Sequence, residues 1–158
     1  MTKINPLIDF VTEEAELRRV YISAPAQSRL NIISKRLNQS EIGSVKLVTS
    51  VSAIEALARS LVVNLRTTPQ DEISNIYKKY RNKKPEELVE EFLEHHGHSD
   101  CSVFFKNDTW NLFKNAVNFR NLIVHECTYL GQDKYPKLIL ACDEVLDSLI
   151  KISKLSRK

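Results

Sequence analysis

The chain has 158 residues, 42% hydrophobic and 27% charged, with a formal net charge of +3. That is enough for one domain with its own core, and the charge permits a nucleic-acid partner while excluding ribosome-type basicity. Three Gly and five Pro argue against a turn-rich β fold and for long helices. Cys101, Cys127 and Cys142 are odd in number and lack a framework spacing, so they read as reduced thiols of a cytoplasmic protein. The opening MTKINPLIDF lacks the charged-then-apolar layout of a signal peptide. No uninterrupted apolar run reaches the roughly 20 residues a bilayer crossing needs, and no membrane partner is expected.

In chain order, the first predicted helix runs from about Pro6 to Tyr21, with Pro a natural first-turn residue. The second lies between Gln27 and Leu37, with Leu30, Ile33 and Leu37 at helical spacing. The longest runs from Ser44 to about Leu65; its Leu47, Val51, Ile54, Ala58, Leu61 and Leu65 follow the 3.6-residue period. Its other side (Thr49, Ser52, Ala53, Ala56, Ser60) is small and lets a neighbour come close.

Residues 69–100 read as two short amphipathic helices opened by Pro69 and Pro85, each followed by early acids that favour a helix start. Their charge is blocky, and the segment is taken as an insertion or cap on a bundle. A helix from Trp110 to about His125 follows, with Asp108 its expected N-cap. Turn residues in TYLGQDKYP end it. The last helix, Tyr135 to about Leu155, places Leu138, Cys142, Val145, Leu149 and Ile152 on one stripe. Long helices joined by short loops predict an all-α, up-and-down bundle of one domain, 1–158. Its core spans about 44–155, with 69–100 as helical insertion and 1–40 as an N-terminal helical hairpin.

The stretch FRNLIVHEC, 119–127, carries the chemistry. On a helical wheel Phe113, Ala116, Val117, Ile123 and Val124 share one face, and Arg120 falls near its middle. A guanidinium stays charged in a protein, so one placed there needs either a buried carboxylate or an incoming anion. Glu55, at the edge of the apolar stripe of the longest helix, is the pairing candidate. Arg120 and His125 lie about 140° apart on a regular helix, whereas Asn121 and His125 share a face at i and i+4. Asn121 is thus placed to orient the His or a phosphate.

Arg120-Asn121-Leu-Ile-Val-His125 resembles the signature of the HEPN superfamily: an Arg, commonly followed by a polar residue, and a His four to six residues beyond it, on the penultimate long helix of an all-α bundle. With nine Arg and four His in the chain, that spacing arises by chance at about 0.23 per chain; an Asn in second place lowers this to about 0.016, so the Asn rather than the spacing makes the match informative. The resemblance implies a HEPN-like bundle that acts as a homodimer, the two motifs facing one another across a groove. It also implies a metal-independent endoribonuclease of toxin or phage-defence type, with no cofactor and an antitoxin or defence-system partner. Arg120 and His125 are then catalytic, supported by Asn121 and Glu55. In toxins paired with a nucleotidyltransferase antitoxin, a modified Tyr stands two residues after the His; here that place holds Cys127, and the nearest Tyr is Tyr129.

The chemistry fits these residue types. In such a reaction the RNA 2′-OH attacks the adjacent phosphate, leaving a 2′,3′-cyclic phosphate and a 5′-OH. Imidazole moves protons near neutral pH, and Arg offers a fixed fork of donors to the charge that builds on phosphate. A C2 axis doubles one His and one Arg per chain. DNA lacks the 2′-OH and escapes this cut. The alternative is a catalytically inactive HEPN module that binds RNA, nucleotide or a partner protein; a third is a helical interaction protein with an accidental motif.

Two further stretches compete for attention. His95, His96, His98 and Cys101 are metal-ligand types, but they cluster at one helix end without the second spaced pair of a zinc site. They read as an exposed polar loop, and no metal is expected. The run YKKYRNKK interleaves two Tyr with Lys78, Lys79, Arg81, Lys83 and Lys84, a composition suited to RNA backbone contact and base stacking, or else to a solvated helix end.

Overall fold

The apolar stripe of the longest helix organises everything around it. In a computed structural model that describes residues 6–157, with side chains from residue 9, this helix is α3 (Gly43–Arg66). Leu47, Val51, Ile54, Leu57 and Ala58, which share one face at the helical period, are fully buried. Burial of each large aliphatic side chain is worth about 1.5–3 kcal/mol. α3 packs against α2 (Ala26–Leu37), α4 (Ile73–Tyr80), α5 (Pro85–His95), α7 (Thr109–Glu126) and α8 (Tyr135–Ser153). By length and composition α3 alone would pass for a membrane span, but 67% of its most apolar window is buried inside the bundle. All regular structure among the described residues is helical, as the composition predicts.

The predicted long helices fall within one or two residues of the observed ones, but the helix expected to open at Pro69 does not: residues 69–72 form a turn and α4 begins at Ile73. α8 buries Leu138, Cys142, Val145 and Leu149, with Ile152 partly covered. Two further elements are a four-residue helix, α6 (Cys101–Phe104), and a 3-10 turn at Gln132–Lys134. Before residue 40 the two helices part company: α1 (Pro6–Ser23) leans on α4, whereas α2 lies along α3.

Within 69–100 the two helices have different fates. α4 buries only Ile76 and is peripheral, as expected of a cap. α5 buries Pro85, Leu88, Val89, Phe92 and Leu93 and is a full member of the core. Its glutamates disguise an apolar stripe at i, i+1, i+4 and i+5 that α3 covers.

α7 differs from its wheel in one respect that matters. Phe113, Ala116 and Val117 are buried, but Val124 is 54% exposed, as are Leu122 (52%) and His125. The wheel gives an angle, and the last turn of α7 has no neighbour at that angle. Asp108 takes the N-cap place without a side-chain hydrogen bond; the next residue, Thr109, donates instead through Oγ1 to Glu144 of α8. Cys127 closes α7 in the left-handed region at φ 53°, uncommon for a side-chain-bearing residue. The chain then folds back on α7. Gly131, at φ 83°, sits so close to Phe119 that a Cβ there would meet the ring at 2.8 Å. The Tyr135 hydroxyl donates to the Leu130 carbonyl at 3.0 Å and fixes the return.

Candidate active site

α7 crosses α3 so that Arg120 reaches the small side of α3. Its Nη2 lies 3.3 Å from Glu55 Oε2, its Nη1 donates to Ser52 Oγ at 3.4 Å, and its Nε donates to Asn121 Oδ1 at 3.0 Å. The Arg120 side chain is 14% exposed and that of Glu55 23%. The structure thus brings Arg120 and Glu55 together, as the charge on an apolar face requires. The pair is partly sheltered rather than sealed from solvent.

Glu55 holds a second guanidinium that the sequence reading missed. Its Oε1 lies 3.7 Å from Arg59 Nη2, one turn along α3. Arg59 Nε donates to the Tyr80 carbonyl at the end of α4, at 3.3 Å. The signal was present, because Glu55 and Arg59 stand at i and i+4 with the favoured polarity. One carboxylate between two arginines leaves net positive charge. Arg29 adds to it: Nε donates to Ser60 Oγ at 3.1 Å and Nη2 to the Tyr21 carbonyl at 2.8 Å. Both acceptors are neutral. Burial above all, with Arg59 adding to it, pulls Arg29 below the ordinary arginine range, against the opposing effect of Tyr77 and Tyr21.

Asn121 and His125 make no side-chain hydrogen bond to one another among the described residues. Asn121 turns its oxygen to Arg120 and steadies that side chain. His125 stands exposed in the last turn of α7, with no side-chain hydrogen bond among the described residues. Five residues separate it from Arg120, about 7.5 Å along the axis, and on a regular helix the two lie about 140° apart around it.

The end of α7 and the turn after it mix exposed apolar side chains with the exposed Glu126. Leu130 is 71% exposed and Tyr129 66%. A concavity of about 470 Å³ at this end of α7 is lined by Phe119, Leu122, Ile123, Leu130 and Gly131 together with the polar Glu126 and Thr128.

The basic run divides. Lys78, Lys79, Arg81, Lys83 and Lys84 are exposed, but the two tyrosines behave differently. Tyr80 packs against the core, and its hydroxyl donates to Glu91 at 3.1 Å. Burial first, then Glu91, pushes its phenol up. It is a structural residue and not a stacking platform. Tyr77, by contrast, lines a groove of about 380 Å³ between α1 and α4 with Arg18, Tyr21, Lys78 and Arg81. The run also touches the motif indirectly, through Tyr80, Arg59 and Glu55 to Arg120.

The His95–Cys101 stretch does not gather. His95, His96 and His98 are exposed, His96 against Phe92 and His98 against Phe104. Cys101 points into the core, where burial raises its thiol to about 12. Among the described residues, no three His, Cys, Asp or Glu side chains are grouped to hold a metal ion.

Fold and site together define an all-α bundle whose central helix offers a carboxylate to two arginines beside an uncovered, His-bearing helix end. In comparisons with family models, with curated proteins and with solved structures, the chain matches none.

Proposed function

We propose that the chain is a HEPN-like, metal-independent endoribonuclease of toxin or phage-defence type that works as a homodimer. The observation that supports it best is the presence on one helix of a braced Arg120 and a solvent-facing His125, at an α7 end where Leu122 and Val124 are left exposed. A second copy docked along that end buries Leu122, Val124 and Leu130 and brings the partner's His125 to the opposite side of a shared groove. The distance that separates Arg120 from His125 within one chain then becomes the width of a cleft.

In that cleft the RNA 2′-oxygen attacks the neighbouring phosphorus, and one imidazole accepts the proton from the 2′-OH. As the P–O5′ bond breaks, the partner's His125 gives a proton to the departing 5′-oxygen. The products are a 2′,3′-cyclic phosphate and a 5′-OH, with atoms and charge balanced. Arg120 meets the negative charge that grows on the non-bridging oxygens; Glu55, Ser52 and Asn121 keep it from swinging away. Guanidinium and imidazole between them fill the roles a metal ion would otherwise take.

A second reading has one observation in its favour. Each nitrogen-bearing arm of Arg120 already has a partner, in Glu55, Ser52 and Asn121, as in an inactive HEPN module that binds RNA, a nucleotide or an antitoxin-like protein without cutting.

Incubation of the purified protein with total RNA in EDTA, beside His125→Ala, separates the two. Wild-type cleavage with cyclic-phosphate ends, abolished in the variant, supports the nuclease. Equal cleavage by both would sink it.

A further inference from the structure

The small side of α3 does more than admit a neighbour. Between α2 and α3 it leaves a cavity of about 280 Å³, bounded by Tyr21, Arg29, Ile32, Arg36, Ser52 and Ala56. Three features bear on what it holds. Ser52 Oγ takes the hydrogen bond from Arg120 Nη1 and also lines the cavity, so the cavity begins one side chain from the motif arginine. Its floor, with Ile33, Val48 and Ala53 beside Ala56, is apolar, while guanidiniums stand at its rim. Arg36 there is held by Glu41 at 2.9 Å, but Arg29 has no carboxylate within salt-bridge distance among the described residues. Tyr21, whose ring lies 4.7 Å from the Arg29 guanidinium carbon, lines both this cavity and the basic groove between α1 and α4. An apolar slot with an uncompensated cation at its edge suits a planar base attached to a phosphate. Its volume falls just below the roughly 300–1,000 Å³ of sites that take whole small molecules, which favours one base of a strand over a free dinucleotide.

We propose that this cavity seats one base of a single-stranded RNA whose scissile phosphate lies at Arg120, a base one nucleotide beyond the two that flank the cut. Arg29 takes the flanking phosphate, and the strand crosses Tyr21 into the groove that holds Lys78 and Arg81. The proposal rests on the ribonuclease reading, and its test keeps the two apart.

Cleavage is measured on a dinucleoside monophosphate, which spans only the cut, and on a random-sequence pentanucleotide, which reaches the cavity. Ala56→Leu fills the cavity from its floor, and Arg29→Gln removes the charge while keeping an amide donor. Each variant should raise KM for the pentanucleotide about tenfold and leave kcat/KM for the dinucleotide unchanged. The same proteins, shown to be helical by circular dichroism, are titrated with a non-cleavable 2′-O-methyl pentanucleotide and with 5′-mononucleotides. Pentanucleotide affinity should fall about tenfold in both variants, and mononucleotides should bind far more weakly than the strand. A folded Ala56→Leu protein with wild-type pentanucleotide affinity overturns the subsite, whether or not RNA is cut. If Ala56→Leu does not fold, Arg29→Gln decides in the same way. Mononucleotides that bind as tightly as the pentanucleotide overturn the strand path. Cavity-dependent binding with no cleavage of either substrate overturns the nuclease reading and leaves the subsite in place.

Discussion

Arg120 Nη2 meets Glu55 Oε2 at 3.3 Å across the crossing of α7 and α3, while the other oxygen of Glu55 faces Arg59 at 3.7 Å. One carboxylate therefore separates two guanidiniums, each with a side chain 14% exposed. Removing it leaves two like charges face to face in a half-sheltered place. Loss of one partner of a fully buried pair costs about 3–5 kcal/mol, and partial exposure reduces that here. Glu55→Ala should lower unfolding free energy by about 2–3 kcal/mol in a denaturant titration and lower cleavage with it. Adding Arg120→Ala to Glu55→Ala should restore part of the stability, because the repulsion goes. A Glu55→Ala protein as stable as wild type would show that the contact carries little energy.

The exposed end of α7 predicts the assembly. Leu122, Val124, Tyr129 and Leu130, within five residues of His125 in the chain, are each at least half exposed. Leu130→Asp places a charge in that surface, away from the core. Sedimentation should show a dimer for wild type and a monomer for Leu130→Asp, with unchanged helical content and cleavage lost at the same protein concentration. A wild-type monomer that cuts RNA would refute the composite site.

Lys78, Lys79, Arg81, Lys83 and Lys84 are exposed, and their contribution is electrostatic. For single strands, each phosphate contact contributes about 0.7 to the slope of log affinity against log salt. Reversal of Lys78 and Arg81, the two that line the α1–α4 groove, should flatten that slope by about 1.4 while kcat holds. An unchanged slope returns the run to the solvated surface.

Much of this was legible beforehand, for physical reasons that differ from place to place. Helical period located α3 and α8 because their stripes are continuous, and the unfavourable energy of an unpaired guanidinium led from Arg120 to Glu55. Where the reading failed, the determinant was a neighbour. Val124 has the right angle and no covering helix; Tyr80, in a run that reads equally as RNA-contacting or as a solvated helix end, is instead held by Glu91 and the core. Nothing in the spacing of Arg29 relates it to Arg120, because the two are joined only through α3, by Ser60 and Ser52. The α2–α3 cavity arises from the same small residues that were read as a close-packing face: they admit α2 and still leave room beside it.

Arg120 itself tells the two functional readings apart, because each assigns its charge a different task. If the guanidinium serves chiefly to neutralise Glu55, Arg120→Ala leaves Glu55 to Arg59 alone at the longer 3.7 Å contact, and the loss appears as stability. If it serves the phosphate, stability changes modestly, because Arg59 still compensates the carboxylate, and cleavage falls steeply. Removal of one preorganised donor to a developing anion typically costs about 10²–10³ in kcat. The expected result is a loss of about 1–2 kcal/mol in stability together with at least a hundredfold loss in kcat. Arg120→Lys sharpens the distinction. A lysine keeps the charge near Glu55 but lacks the planar fork that spans Ser52, Glu55 and a phosphate at once. It should recover most of the stability and little of the rate. If Arg120→Lys recovers both, the residue acts as a simple charge; if it recovers neither, the loss lies in packing at the α3–α7 crossing, and the catalytic assignment of Arg120 falls.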